Sequence, residues 1–166
     1  MLKLAICPME SALEAHACAQ LMVASEPWIT LGPGYDASLA VLSDETRERY
    51  LALQGKALAG FLVLDMKGAF VGYIQTVCVA PKFRNLGIGT QLIRFAEQRI
   101  FREAPNVFLC VSSFNLRARR LYERLGYHVV GELGDYLIGG QSEILLRKSL
   151  GPISNYRPLD HPGGSP

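Results

Sequence analysis

One segment of the sequence combines basic residues with two glycines where a strand gives way to a helix. The apolar run 77–80 ends at Pro81, and a basic turn then leads to Gly87 and Gly89. The first backbone N–H groups of a helix lack intrahelical partners and lie at the positive end of the helix dipole, so they bind anions. Because glycine has no Cβ, the main chain can turn tightly and approach a bulky ligand. The pattern predicts a site for a diphosphate group.

The glycine pair has a second interpretation, because turns between strands and helices often carry glycine only to close the connection. Two familiar phosphate-binding loops are excluded. The segment lacks the Gly-Lys-Ser/Thr ending of a nucleoside-triphosphate loop, and it has neither the third glycine nor the downstream acidic residue of a dinucleotide loop. What remains is Arg-x-x-Gly-x-Gly beginning at Arg84, with Lys82 adding positive charge at the mouth.

A second segment with informative spacing runs from Asn115 to Tyr127. Asn115 is a good N-cap whose amide could alternatively reach a ligand. Tyr122 is expected to point inward, where a phenol usually finds a partner for its hydroxyl. Gly126 is typical of a helix end. The residues that share the inward face at spacings of three and four are Ala118, Leu121, Tyr122 and Leu125.

Together the two segments resemble the two signatures of the GNAT superfamily of N-acetyltransferases. The first fits Q/R-x-x-G-x-G/A, which opens the helix that carries the pyrophosphate of acyl-coenzyme A. The second fits N-x-x-A-x-x-x-Y-x-x-x-G-F/Y. The resemblance covers the chain from about Gly72 to Tyr127, and it extends elsewhere only through the order of strands and helices. It implies an N-acetyltransferase that uses acetyl-coenzyme A (acetyl-CoA) as acyl donor.

The resemblance also implies where the donor lies. The fourth and fifth strands splay apart at a bulge, the pantetheine arm fills the gap, and a main-chain N–H of Val79 or its neighbour binds the thioester oxygen. Tyr122 would protonate the departing sulfur. Arg119, by its spacing from Asn115, is the arginine of its helix that could reach the phosphates, and a solvated helix face is the alternative. The implied cofactor-binding residues are Val77, Cys78, Val79, Arg84, Asn85, Leu86, Gly87, Ile88, Gly89, Thr90, Asn115, Ala118, Arg119 and Tyr122.

The general base is less defined by the sequence. Some peptide-modifying members of the family carry a glutamate on the fifth strand, where this chain has Cys110, and the fourth strand offers Gln75 and Thr76. This departure argues against acetylation of a ribosomal-protein N-terminus. Glu26 is the carboxylate to test first, a surface charge is its alternative role, and water could serve instead.

The acceptor pocket is expected along the loop after the first helix, which forms one wall of that pocket in the family. Trp28 and Tyr35 are the expected lining residues together with Gln75, and ordinary packing over the sheet edge is the alternative for the two aromatic residues. A mostly aromatic pocket without obvious acidic residues indicates a small amine or amino-acid-like acceptor. A protein N-terminus or lysine is the alternative acceptor.

Two other classes of function stay open at this point. A domain that binds acyl-CoA without turning it over would act as a sensor or as a subunit of an assembly. A plain phosphate or nucleotide binder is the third hypothesis. Tyr122 favours catalysis, whereas the missing obvious base favours the sensor.

Composition narrows the class of protein further. The 166 residues are 49% hydrophobic and 19% charged, which is typical of a single domain, expected over residues 1–150. The net charge of +2 does not favour nucleic acid or a membrane surface as partner. No apolar run is long enough for a secretory signal or a membrane span, so a cytoplasmic location is expected. The Pro/Gly-rich composition of residues 151–166 predicts a mobile tail. A homodimer and a monomer are both compatible with the sequence.

The four cysteines are far apart, with no paired spacing for zinc or a redox dithiol, so no metal is expected. Reduced core thiols are the favoured interpretation. A nucleophilic role for Cys78 or Cys110 would need a nearby histidine, of which the sequence gives no sign.

Hydrophobic periodicity predicts the α/β (α+β) fold class. We expect a strand over 2–6, a helix from Pro8 with an apolar face, a loop over 26–35, a helix over 36–46 and an antiparallel meander over 49–80. A helix, a strand, the Asn115 helix and two further strands follow. These elements make a mixed, mostly antiparallel sheet of about seven strands with helices on both faces. The expected face of the first helix comprises Met9, Leu13, Ala17 and Leu21, and the expected solvent face of the helix after Gly89 comprises Gln91, Arg94, Glu97, Gln98 and Arg102.

Overall fold

The computed structural model of the protein describes residues 3–158. The strands and helices in chain order are β1 Leu4–Pro8, α1 Ala12–Val23, α2 Trp28–Leu31, α3 Gly34–Ser43, β2 Glu48–Gln54, β3 Ala57–Asp65, β4 Tyr73–Val79, α4 Ile88–Ile100, β5 Asn106–Ser112, α5 Leu116–Arg124, β6 His128–Gly134 and β7 Ser142–Ser149. Short 3-10 turns lie at Pro81–Phe83 and Ile153–Asn155.

The strands form one seven-stranded sheet in the order β1-β2-β3-β4-β5-β7-β6. All neighbours are antiparallel except β4 and β5, which are parallel. The prediction of a mixed, mostly antiparallel seven-stranded sheet is confirmed. The parallel pair is short, because only Tyr73 and Ile74 find partners on β5, at Phe108 and Leu109. Beyond Ile74 the two strands diverge, so the sheet is split at its centre.

Each face of the sheet is covered by its own hydrophobic core. Along β3 the side chains alternate, with Phe61 and Val63 on one face and Leu62 and Leu64 on the other. Helices α1 and α3 pack on the first face, and α4 and α5 on the second. The expected placement of helices on both faces is therefore confirmed.

A β-bulge in β4 lies where the sheet splits. Val63 pairs with Thr76 and Leu64 pairs with Ile74, so Gln75 is the extra residue between them. A bulge reverses the side-chain alternation of its strand. Ile74 accordingly packs in the core under α4 and α5, while Cys78 packs in the core under α1 and α3. The bulge turns β4 away from β5 and aims Gln75 at the gap.

The first helix differs from the prediction in both start and buried face. Ser11 and Glu14 form a capping box: the Glu14 N–H donates to Ser11 Oγ (3.2 Å), and the Ser11 N–H donates to Glu14 Oε2 (2.9 Å). The cap fixes the start at Ala12, whereas Pro8 ends β1. Leu13 is consequently 81% exposed. The buried face consists of Ala15, Cys18, Ala19 and Met22.

Two other expectations from the sequence are corrected by the structure. The segment 26–35, expected as a loop, contains α2 and the first residues of α3, which ends at Ser43. On α4, Glu97 was expected in solvent but is only 8% exposed. Its Oε2 accepts a 2.8 Å hydrogen bond from Lys148 Nζ on β7, and this ion pair lets the carboxylate be buried.

The first part of the C-terminal segment folds back on the domain. The Leu150 N–H donates to the Pro105 carbonyl at 2.8 Å, and the Tyr156 hydroxyl donates to the Phe101 carbonyl. Residues 159–166 lie outside the described residues, so mobility of the tail and the domain boundary at residue 150 stay predictions. Between residues 3 and 158, none of the helices has both the length and the apolar character needed to span a bilayer.

Candidate active site

The gap between β4 and β5 opens into two adjoining cavities of about 460 and 580 Å³. The first, called here the basic cavity, is lined by Arg84, Arg117 and Arg124 at the N-terminal end of α4. The second, called the acidic cavity, lies between the splayed strands, and its charged lining residues are Glu26 and Glu143. The two cavities form one cleft, because both are lined by Glu26, Trp28, Val77, Asn115, Ala118 and Tyr122.

The N-terminus of α4 is open to the basic cavity. Its N-cap is Gly87, with φ of 77°, and within the described part of the chain no side chain caps the first turn. Gly89 lies against α5, because a Cβ there would come within 3.3 Å of Leu121 Cδ2. Gly87, Ile88, Gly89 and Thr90 all line the cavity. The helix dipole and the uncapped N–H groups therefore favour an anion at this point.

The turn before α4 is tied to its neighbours by side chains. Arg84 Nε donates to the Val79 carbonyl at 3.2 Å. Asn85 takes a left-handed backbone conformation, with φ of 65°, and its Oδ1 accepts a 2.7 Å hydrogen bond from Arg117 on α5. Asparagine tolerates this conformation better than most residues. Arg117 is thereby held at the cavity wall.

Two residues expected to bind the cofactor lie elsewhere. Arg119 Nε donates to Glu123 Oε1 at 2.9 Å along α5, and it lines neither cavity. Helical spacing rotates Arg117 and Arg124 toward the cavity instead, and the sequence pattern did not distinguish them from Arg119. Leu86 is 45% exposed and outside the lining of both cavities. The other expected cofactor-binding residues line the basic cavity.

Tyr122 stands where the two cavities meet. It is 9% exposed and makes an edge contact with the Tyr127 ring at 6.0 Å between centroids. Burial raises the pKa of the Tyr122 phenol to about 12. The phenol is therefore protonated across the neutral range and can act as a proton donor.

Asn115 caps α5 and also reaches both cavities. Its Oδ1 accepts a 3.3 Å hydrogen bond from the Ala118 N–H, which is the N-cap role expected from the sequence.

Glu26 lies at the mouth of the cleft and is exposed. Its two carboxylate oxygens accept from the Thr30 N–H at 3.2 Å and from the Thr30 hydroxyl at 3.0 Å. The carboxylate therefore stabilises the start of α2 while facing the cleft.

The acidic cavity contains a buried carboxylate that sequence reasoning missed. Glu143 on β7 is 5% exposed, and its Oε1 accepts a 2.5 Å hydrogen bond from the Ser112 hydroxyl on β5. Burial raises the pKa of this carboxyl, and the Ser112 hydrogen bond partly opposes that rise. In the pairing of β5 with β7, Ser112 lies opposite Glu143. Because this pairing places a carboxylate in the cavity, the expectation of a pocket without acidic residues is corrected. The sequence does show a glutamate beside the apolar residues of β7, but only the pairing of β7 with β5 places that glutamate in the cavity.

Gln75, the bulge residue, also lines the acidic cavity. Its Oε1 is buried and accepts no hydrogen bond within the described part of the chain. A buried polar atom without a partner costs free energy unless a ligand or water meets it. Nearby, Tyr73 and Cys110 interact across the narrow end of the gap, and burial raises the pKa of both groups.

The two aromatic residues expected in the acceptor pocket are separated by the fold. Trp28 on α2 lines both cavities. Tyr35 lines neither, because its hydroxyl is hydrogen-bonded to His16 Nδ1 at 2.5 Å and its ring stacks on the His16 ring over α1. The geometry of Tyr35 therefore fits the other interpretation of this residue, which is ordinary packing.

Cysteines show no metal or disulfide arrangement across residues 3–158. All four thiols are free, and no cluster of three or more potential metal ligands occurs in that range. Burial raises the pKa of Cys78 to about 11, so its thiol is protonated near neutral pH.

The fold is an α/β domain with a split sheet and a basic cavity at the start of α4. The chain belongs to the acetyltransferase (GNAT) family, whose family model matches residues 13–127. The match spans both sequence signatures and α1, so it includes most of the cleft. The family resemblance and the expected fold are confirmed by this match.

Individual relatives show more modest similarity. An uncharacterized N-acetyltransferase of Methanocaldococcus jannaschii is 34% identical over 101 residues, which cover 53% of this chain and 65% of that protein. An N-alpha-acetyltransferase of Sulfurisphaera tokodaii is 33% identical over 82 residues, or 48% of each chain. The chain thus matches between about half and two thirds of the length of these two relatives.

Solved structures share the fold at low sequence identity. A crystal structure of an aminoglycoside 6′-N-acetyltransferase complexed with coenzyme A aligns with a TM-score of 0.71 and 16% identity. The alignment covers 89% of this chain and 98% of that one. This likeness extends the fold assignment beyond residues 13–127.

Proposed function

We propose that the protein is an acetyl-CoA-dependent N-acetyltransferase that acetylates a primary amine of a small molecule or amino-acid-like acceptor by direct attack on the thioester. One observation carries the proposal: Tyr122, a protonated phenol, stands at the junction of a basic cavity and an acidic one. A polyanionic donor and a cationic acceptor would meet at that junction.

The basic cavity fits the diphosphate of coenzyme A. The first turn of α4 has no side-chain cap, and three arginines line the space in front of it. Gly87 and Gly89 would let the phosphates approach the main chain, and Arg117, held by Asn85, would add a charge-assisted hydrogen bond.

The splayed edge of β4 fits the pantetheine arm. Beyond Ile74 that edge has no strand partner among residues 3–158, so main-chain groups of residues 75–79 can pair with an extended, amide-bearing chain. Val77, Cys78 and Val79 line the basic cavity along this edge. A main-chain N–H at Val79 or its neighbour would bind the thioester oxygen and stabilise negative charge that develops there.

Tyr122 would act as the general acid for the leaving sulfur. Acetyl-CoA supplies an activated thioester whose thiolate is a fairly good leaving group. The phenol, with its pKa raised to about 12, keeps its proton at neutral pH and is positioned to give it up.

The size and lining of the acidic cavity support a small acceptor. Its volume of about 580 Å³ is suited to a compact molecule, and its walls include Trp28, Leu31 and Leu137 around a few polar groups. A protein N-terminus is the second candidate acceptor. The relative from Sulfurisphaera tokodaii is named an N-alpha-acetyltransferase, and its similarity favours that reading.

Release of free thiol from acetyl-CoA in the presence of a panel of primary amines and short peptides tests the proposal. We expect thiol and acetylated product in equal amounts, with the product identified by mass spectrometry. Tight binding of acetyl-CoA without any acetylated amine would support the alternative of a non-catalytic acyl-CoA sensor or assembly subunit.

A further inference from the structure

We infer that Glu143 is the group that binds the ammonium of the acceptor and removes its proton, with Ser112 as its positioning partner and Gln75 as a second acceptor for the ammonium. The inference rests on the proposed function and deepens it, because it defines the acceptor as a cation whose amine reaches the inner end of the acidic cavity.

The Glu143 carboxylate is buried at a cost in free energy. Glu143 is 5% exposed, and a single neutral hydroxyl, that of Ser112, is its hydrogen-bond donor among the described residues. No lysine, arginine or histidine of residues 3–158 lines the acidic cavity. A buried carboxylate without a cation is unfavourable, so a bound ammonium would supply the missing partner.

A second buried polar atom lines the acidic cavity across the split from Glu143. Gln75 Oε1 is buried and unpartnered, and the bulge of β4 is what brings this side chain to the gap. A protonated primary amine has three N–H donors. Glu143 and Gln75 offer it two acceptors from opposite sides of the split sheet.

Neighbouring titratable groups add no positive charge. Tyr73 on β4 and Cys110 on β5 face Glu143, and both are neutral acids with raised pKa values. Tyr136, in the loop before β7, is a further phenol of the cavity, and Glu26 is the second carboxylate. The electrostatic environment therefore selects a cation and keeps Glu143 a better proton acceptor than an exposed carboxylate.

The proton balance requires a proton acceptor, and Glu143 fits that role. The acceptor arrives as an ammonium ion, and Glu143 takes one proton to leave a neutral amine. A C–N bond forms to the acetyl carbon while the C–S bond breaks. The second proton lost by the nitrogen replaces the one that Tyr122 gives to sulfur, and Glu143 returns its proton to water. The products are an acetamide, the free thiol of coenzyme A and one proton.

The test compares Glu143→Gln with Glu132→Gln as the matched control, because Glu132 is an exposed glutamate of β6 that lines neither cavity. Glutamine keeps the size of the side chain and an oxygen for the Ser112 hydroxyl. We expect Glu143→Gln to lower kcat/KM for the acceptor by about 100-fold or more and to remove the rise of kcat/KM with pH that follows ionisation of Glu143. Glu132→Gln should keep that rise. An unchanged pH profile and rate in Glu143→Gln would overturn the inference.

A positioning variant adds an independent readout. The Ser112 hydrogen bond lowers the pKa of Glu143, so Ser112→Ala should raise that pKa and move the rising limb of the profile to higher pH. A limb that stays in place would contradict the assignment of the limb to Glu143.

Ligand binding separates this inference from the proposed function. Calorimetry of the protein saturated with coenzyme A should show that 2-phenylethylamine binds about 10-fold or more tightly than uncharged 2-phenylethanol, and that Glu143→Gln abolishes the preference. Equal preference in both proteins would refute the inference even if acetyl transfer occurs. If transfer fails but the preference depends on Glu143, the catalytic proposal fails and the cation site remains.

The melting temperature of Glu143→Gln shows whether a loss of activity comes from misfolding. Because burial raises the pKa of Glu143, its ionised form destabilises the folded state above the pH at which the proton leaves. Glu143→Gln should therefore melt at or above the wild-type temperature at about pH 8. A large fall in melting temperature would assign the carboxylate a structural role and overturn the inference.

Discussion

At the scale of single residues, the chemistry of the cleft depends on where two acids are placed. Helical spacing alone identifies Tyr122 as an inward residue, because Ala118 four positions before it and Leu125 three positions after it are apolar. Glu143 could not be found in that way, since its position depends on pairing with Ser112, 31 residues earlier in the chain. Local periodicity therefore predicts the position of the proposed proton donor but not that of the proposed proton acceptor.

Replacement of Tyr122 by phenylalanine tests the proton donor. The ring and its contact with Tyr127 are preserved, so folding should be maintained. We expect turnover to fall roughly 100-fold to 10,000-fold, the usual range for loss of one general acid, with acetyl-CoA affinity little changed. Steady-state kinetics and calorimetry measure the two effects. Turnover equal to that of wild type would remove Tyr122 from the role.

At the scale of elements, two helix termini and one bulged strand organise the cleft. The sequence predicted the start of α4 at the glycine pair and the cap of α5 at Asn115, because both depend on local signals. The predicted start of α1 at Pro8 was wrong, because the Ser11 capping box places the first helical residue at Ala12. The role of Arg117 could not be predicted either, because it depends on Asn85 in a turn 32 residues away.

Arg117 and Arg119 form a natural matched pair on α5. Arg117 lines the basic cavity, whereas Arg119 pairs with Glu123 outside it. We expect Arg117→Ala to weaken coenzyme A binding about 10-fold through loss of a charge-assisted hydrogen bond, and Arg119→Ala to leave binding nearly unchanged. Calorimetric titration with coenzyme A decides between them, and a larger loss in Arg119→Ala would reverse the assignment.

The backbone at the start of α4 can be tested with a second matched pair. Gly87 has φ of 77° and Gly140, in the β6–β7 turn, has φ of 78°; a Cβ at either would meet nothing within 4 Å. Alanine should therefore cost about 1–2 kcal/mol of folding stability at both positions. Only Gly87→Ala should also raise the KM for acetyl-CoA, by about 10-fold, because its Cβ lies at the phosphate site. Equal KM values in the two variants would speak against that site.

At the scale of the whole molecule, the split of one sheet creates the cleft while both faces remain covered by cores. The seven strands, the helices on both faces and the splay were predictable from the order of elements and the family resemblance. The charge separation between the two cavities was not, because it requires the arginines of α5 and the glutamate of β7 to be placed by tertiary packing.

Gly72 holds the beginning of β4 against β5 and α4, and its replacement tests this framework. With φ of 86°, a Cβ there would lie 2.5 Å from Ile100 Cγ2 and 2.6 Å from the Asn106 carbonyl oxygen. We expect Gly72→Ala to reduce the free energy of unfolding by about 2–4 kcal/mol. Gly131→Ala, where a Cβ would meet nothing within 4 Å, should change it by less than about 1 kcal/mol in denaturant titrations. Similar values for the two variants would contradict the packing described for β4.

A crystal structure of the protein with coenzyme A tests the central claim most directly. We expect the diphosphate at the main-chain N–H groups of residues 87–90, the pantetheine arm along β4 beyond Ile74, and the sulfur within hydrogen-bonding reach of the Tyr122 hydroxyl. A diphosphate bound away from the start of α4, or a sulfur that lies far from Tyr122, would contradict it.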